Sequence, residues 1–279
     1  MPLAFSTLGC PGLSLENVIA LAHASGVTGL ELRVAAGESV YPGMSGEQAR
    51  AVARTLSQAG LVVLALASYV RVCQPDPEGR DGEVDAELRD AVELAAALGS
   101  RYVRVFPGAG IIPTLKEEPN PAMLSADKLG GLRLNRAAAQ ATELGVTLLL
   151  ETHDSHPRGQ DIMRILGHVD TGAPVQVIWD LMHPWRHDEA PGRTAQLLAG
   201  SLAYSQFKDG IRKAETYDVT LTLPGEGELP LRAMRDLVFG IAASHGTVDP
   251  WISLEWERAW HPELPPLADA IAALRAVLA

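Results

Sequence analysis

One unit recurs along this chain: a short apolar run of strand character, a loop, then an Ala- and Leu-rich stretch with helical spacing. The apolar runs are Leu3–Thr7, Gly29–Val34, Leu61–Ser68, Tyr102–Phe106, Val146–Glu151, Val175–Asp180, Ala203–Lys208 and Trp251–Trp256. Helical patterns fall between them, at Ser14–Ser25, Ser45–Ala59, Asp85–Leu98, Ala126–Leu144, Gln160–Gly167, Thr194–Ala199, Pro230–His245 and Pro265–Leu278. Ser14 stands where an N-cap belongs, and Gly26, Gly60, Gly99, Gly145 and Gly246 punctuate helix ends. Eight units in 279 residues give about 35 residues each, the size of a strand–helix step. Runs such as LVVLALAS and VTLLL do not alternate cleanly, which suits a parallel sheet buried on both faces. The expectation is therefore α/β: a (β/α)8 TIM barrel forming a single domain over residues 1–279. A doubly wound open sheet competes. Its phosphate loop after the first strand is missing, since STLGCPG spells neither GxGxxG nor a Walker motif.

Composition removes several classes of function. Lys and Arg number 23 against 34 Asp and Glu, a net charge of −11. A chain that acidic lacks the basic face that nucleic acid or an anionic membrane surface requires. No apolar run reaches the ~18 residues of a membrane span. The start MPLAFSTLGCPGLS has no basic region followed by a long apolar stretch, as a secretory signal would. Two cysteines, Cys10 and Cys73, make neither a disulfide framework nor a thiolate zinc site. A soluble cytoplasmic protein is expected, with no nucleic-acid or membrane partner. Self-association into a homo-oligomer is compatible with the sequence.

In a (β/α)8 barrel, chemistry sits at the C-terminal ends of the strands. The fifth run ends in Glu151, the sixth in Asp180 with His183 beyond it, and the seventh carries Gln206, Lys208 and Asp209. The eighth carries Glu255 and Glu257, and the second Glu31 and Arg33. A carboxylate in an apolar strand is costly unless compensated. Three of them at equivalent depth (Glu151, Asp180 and Glu255) would repel one another in an empty mouth. A bound cation is the economical explanation, with the Gln206 carbonyl oxygen as a fourth ligand. Oxygen donors without thiolate favour one divalent ion, Mn2+ or Mg2+ ahead of Co2+ or Zn2+.

This ordered set resembles the xylose isomerase-like TIM-barrel superfamily, in its sugar epimerase and isomerase branch. The residues carrying the resemblance are Glu151, Asp180-x-x-His183, Gln206 followed by Lys-Asp, Arg212 and Glu255, with Pro224–Gly227 similar to a loop before the seventh helix. The resemblance implies that Glu151, Asp180, Gln206 and Glu255 hold one metal. It further implies that Glu151 and Glu255 are the catalytic acid and base, and that His183 and Arg212 contact substrate oxygens. One departure is Gln206, where the family usually has His. Endonuclease IV, of the same superfamily, needs histidines at the ends of the third and fourth strands. Here those ends read Ser68–Tyr69 and Phe106–Pro107.

The implied activity is a metal-dependent isomerase or epimerase, moving a proton next to the carbonyl of a small sugar or polyol-derived ketone. An inosose-type dehydratase on the same scaffold, and a sugar-binding barrel without catalysis, are the alternatives. Trp185, just past His183, offers a flat apolar face to a sugar. Glu257 shares strand parity with Glu255 and reaches ligand or substrate. Trp179 and Trp256 alternate with ligand positions and should face the helices. Lys208 and Asp209 read as a mutual pair stiffening the strand end. Gly108–Asp127 reads as a long loop over the mouth.

Overall fold

Strand formation follows the apolar runs closely. The strands are β1 (Leu3–Ser6), β2 (Gly29–Arg33), β3 (Val62–Arg71), β4 (Tyr102–Phe106), β5 (Thr147–Glu151), β6 (Val175–Asp180), β7 (Leu202–Phe207), β8 (Asp209–Arg212), β9 (Val219–Thr222) and β10 (Ile252–Leu254). The helices are α1 (Leu15–Ala24), α2 (Gly46–Gln58), α3 (Glu83–Ala97), α4 (Pro121–Glu143), α5 (Gly159–Leu166), α6 (Met182–Arg186), α7 (Pro191–Leu198), α8 (Leu231–Ser244) and α9 (Leu267–Leu278). The structure is a computed structural model that describes residues 1–80, 82–113, 119–247 and 249–279.

Eight parallel strands close into a barrel in the order β1-β10-β7-β6-β5-β4-β3-β2, with helices between them. This is the (β/α)8 architecture expected of the eightfold unit. Two-residue periodicity divides β5 and β6 between two cores. Leu148 and Leu150 of β5, Val177 and Trp179 of β6, and Trp256 beyond β10 belong to the large core shared with the helices. Leu149, Ile178 and Tyr204 join Ala4, Leu64 and Ala65 in a small separate cluster inside the barrel. Trp179 and Trp256 therefore face the helices as their parity requires.

Helix starts obey capping chemistry. Ser14 Oγ accepts from Asn17 N, and Ser45 with Gln48 forms a reciprocal capping box. The fourth helix departs from expectation. It starts at Pro121, where Asn120 accepts from Met123 N and proline fills the first turn. Pro121–Asp127 is thus helix, not the end of a loop over the mouth. Of the Gly108–Asp127 segment, residues 114–118 lie outside the described residues.

A second departure follows β7. The chain does not go directly to a helix but makes an antiparallel hairpin, β8 with β9. Its base is tied by Asp209, whose side chain accepts from the backbone N–H groups of Gly210, Gly225, Gly227 and Leu229. A side chain at Gly227 would collide with Asp209 Oδ1 and Gly210 N, so the Pro224–Gly227 loop needs glycine there. Asp209 is consequently not the partner of Lys208.

Candidate active site

Glu151 and Asp180 are the last residues of β5 and β6, and Glu255 follows β10 directly, its N–H bonded to Phe207 O at 3.0 Å. Gln206 in β7 pairs in register with Asp180 on one side and Ser253 on the other. Closure of the barrel brings the ends of these strands to one rim. Ligand oxygens of Glu151, Asp180 and Glu255 lie within 4.8 Å of one another, and all three residues are buried. A second grouping shares Glu151 with His153 and His183 under the same 4.8 Å limit.

Side chains from non-adjacent strands meet across the interior. Glu31 of β2 accepts from Tyr204 Oη at 2.7 Å and from Gln206 Nε2 at 3.0 Å, both of β7. Gln206 Nε2 also donates to Glu255 Oε1 at 3.2 Å. Arg104 of β4 places Nη1 3.3 Å from Glu151 Oε2 and 3.4 Å from Glu255 Oε1, while Nη2 donates to Ser68 O at 2.9 Å. Lys208, 1% exposed, sets its ammonium 2.7 Å from Asp180 Oδ2, 2.6 Å from Glu255 Oε2 and 2.6 Å from Glu257 Oε1. Sequence reasoning missed both cations as members of the site. The signal for Arg104 was present: it shares parity with Tyr102 and Phe106 inside the apolar run YVRVF.

These contacts split the acids electrostatically. Burial pushes Glu151 well above the ordinary carboxylate range; the Arg104 charge opposes this and Glu255 reinforces it. Burial also raises Asp180, and with Lys208 pulling the other way it stands at about 7. Burial works to raise Glu255 too, but Lys208 and then Arg104 outweigh it and hold the group at about 2. Glu31 is raised by burial and by the neighbouring Glu255. His183 is held neutral by burial, far below the usual histidine value.

The residues fit a divalent cation. Five carboxylates (Glu31, Glu151, Asp180, Glu255 and Glu257) share this region with two cations, Arg104 and Lys208. Among the described residues, Glu151 Oε1 and Gln206 Oε1 are buried acceptors without a hydrogen-bond partner. Such oxygens cost free energy unless something positive meets them. Oxygen donors of this kind suit a hard or borderline divalent ion.

The other site residues line the rim. His183 Nε2 lies 3.7 Å from Asp180 Oδ2, and its ring sits 4.4 Å from His153, which in turn lies 4.2 Å from Phe106. Glu257 touches the site through Lys208. Arg212 of β8 covers the Trp185 ring at 4.5 Å; its guanidinium bonds go to Asp188 Oδ1 and Trp185 O, both at 2.5 Å, and none goes to the acids. Arg33 pairs with Glu38 at 2.9 Å and covers the Trp260 ring at 4.8 Å. Glu31 thus joins Tyr204 and Gln206 inside the barrel, while Arg33 makes a separate ion pair with Glu38.

Comparison with known proteins agrees with the fold. Among curated protein sequences none matches the chain. Similar solved structures include a protein called IOLI with a bound zinc atom: 18% identity, 99% of this chain and 96% of that one covered, TM-score 0.75. A D-psicose 3-epimerase crystallised with D-fructose is 13% identical, with 100% and 99% covered and a TM-score of 0.73. A probable 3-DHS dehydratase, AsbF, from Bacillus anthracis is 16% identical, with 100% and 99% covered and a TM-score of 0.71. At these identities the likeness is one of fold. The family profile described as xylose isomerase-like TIM barrel matches residues 19–277. The chain belongs to the xylose isomerase-like TIM barrel family.

Proposed function

We propose that this protein is a metal-dependent isomerase or epimerase that moves a proton at a carbon next to a carbonyl. Its substrate is a small sugar or polyol-derived ketone. The observation carrying this reading is the convergence of Glu151, Asp180 and Glu255 at the barrel mouth, with the acceptors Glu151 Oε1 and Gln206 Oε1 left unpartnered. Glu151, Asp180, Gln206 and Glu255 would hold one divalent ion, Mn2+ or Mg2+ in preference to Co2+ or Zn2+. When bound, such an ion supplies positive charge for the substrate oxygen that becomes anionic as the proton leaves.

The chain's own groups do the rest. Glu151 and Glu255 flank the reacting carbon as acid and base. His183 and Arg212 hold substrate oxygens, Trp185 presents its ring to the C–H face, and Glu257 anchors Lys208 beside the substrate. Return of the proton to the opposite face gives an epimer; return to the neighbouring carbon gives the aldose–ketose isomer. The buried free thiols of Cys10 and Cys73 support a reducing, cytoplasmic setting.

A dehydratase is the second reading, and one observation favours it. Glu255 is held by Lys208, Gln206 and Arg104, which leaves it less free to exchange protons than Glu151. The imidazoles of His153 and His183 stand next to Glu151 instead. One carboxylate base with an imidazole beside it suits loss of a hydroxyl after proton removal. The D-psicose 3-epimerase and the probable 3-DHS dehydratase sharing this fold bracket the two outcomes.

The test is solvent-deuterium exchange into a panel of ketoses with Mn2+ present, read by mass spectrometry. Glu151→Gln and Glu255→Gln should each lower exchange by about 100-fold or more. Exchange unchanged in both variants would remove the assignment. An epimer or isomer among the products supports the first reading, and an unsaturated, ultraviolet-absorbing product the second. No exchange with any ketose and no bound metal would leave a non-catalytic sugar-binding barrel.

A further inference from the structure

Lys208 is the least expected member of the site. Its ammonium has three donors, and all three meet carboxylates: Asp180 at 2.7 Å, Glu255 at 2.6 Å and Glu257 at 2.6 Å. Two of these acids belong to the proposed metal set. The third does not, and it lies toward solvent, its side chain 23% exposed against 0% for Asp180 and 5% for Glu255. Asp180 Oδ1 is already taken by the Met182 N–H at 2.8 Å, and Glu255 Oε1 by Gln206 and Arg104. The remaining oxygens, Asp180 Oδ2 and Glu255 Oε2, are those the ammonium contacts. A divalent ion reaching these two acids must share or displace a resident positive charge.

We propose that Lys208 is a tethered cation that competes with the divalent ion for Asp180 and Glu255, and that Glu257 is the seat to which its ammonium withdraws. The inference rests on the metal-centre reading above and adds a regulator of that centre. The physics is that of like charges a few ångströms apart in a buried, poorly screened space. A flexible four-carbon stem allows the head to shift between acids without moving the strand. The ammonium also compensates the acids, so that they do not rely on the divalent ion alone. Binding is then an exchange of cations, and affinity is set by how readily Lys208 yields.

The experiment measures Mn2+ affinity by titration calorimetry, with thermal unfolding in chelator and in excess Mn2+. Lys208→Met keeps the stem and removes the charge. It should bind Mn2+ about tenfold or more tighter than the unaltered protein. It should also melt earlier in chelator, widening the gap between the two melting points. Glu257→Gln removes the seat and should weaken Mn2+ binding several-fold. Should Lys208→Met not fold, the Glu257→Gln affinity decides alone. Unaltered protein that binds Mn2+ while Lys208→Met binds it no tighter, or Glu257→Gln binds it no weaker, overturns the competition and leaves the metal reading standing. Failure of every form to bind a divalent ion overturns the metal reading, and this inference with it.

Discussion

Residue by residue, the site is a contest between burial and charge. Lys208 and Arg104 together outweigh burial at Glu255, while burial prevails at Glu151 in spite of Arg104. At His187 burial wins the same contest. His187, whose Nδ1 lies 2.9 Å from the His183 carbonyl, is pushed down by burial to about 4 from an ordinary 6.5. The unfolded chain therefore takes up a proton there between pH 6.5 and about 4 that the folded chain refuses. Its contribution to stability is present above 6.5 and is lost as pH falls through that window. His187→Asn keeps a donor for the carbonyl but does not titrate. Urea unfolding at steps from pH 7 to 4.5 should show this variant gaining on the unaltered protein as pH drops. A gap that stays constant with pH would contradict the assignment. The acids were legible in the sequence because each closes or interrupts an apolar run, where an unpaired charge is costly. The cations were less so. Adjacency in the sequence suggests pairing Lys208 with Asp209, but residues two apart share a strand face and adjacent residues do not. Position 208 faces Gln206 and the acids, and position 209 faces away.

At the scale of elements, strands and helices were readable because two periods, a buried run and a helical stripe, alternate with glycine between them. Tyr102–Phe106 and Val175–Asp180 form as the pattern predicts, residue for residue. What escaped was the β8–β9 hairpin. Its strands, DGIR and VTLT, are short and half-exposed, so neither makes an apolar run. Its register is set by a buried aspartate gathering four backbone N–H groups, a tertiary contact no local pattern announces. The hairpin carries Arg212, proposed above to hold a substrate oxygen, and Tyr217 between its strands stacks on His187 at 4.7 Å. Asp209→Ala leaves those N–H groups unpaired. It should cost about 3 kcal/mol or more, since charge-assisted hydrogen bonds are lost and donors are orphaned together. A urea midpoint within error of the unaltered protein would show that the loop finds other acceptors. The start of α4 was missed for a different reason. Asn120 and Pro121 make a strong helix beginning, but the surrounding prolines and charges read as loop.

For the molecule as a whole, the barrel converts sequence order into proximity. Glu31, Arg104, Glu151, Asp180, Gln206 and Glu255 come from six different strand segments, and closure alone brings them together. The net charge of −11 is spread over the chain, yet this site concentrates acids inside low-dielectric walls. Among the described residues no helix is long and apolar enough to cross a membrane. The proposed function depends on a single divalent ion shared by Glu151, Asp180, Gln206 and Glu255. Crystals soaked in Mn2+ and measured across the manganese absorption edge test that directly. One strong anomalous peak is expected at the barrel mouth, in coordinating contact with oxygens of all four side chains. A mouth without such a peak, or a peak held by His153 and His183 away from Asp180 and Glu255, would contradict it.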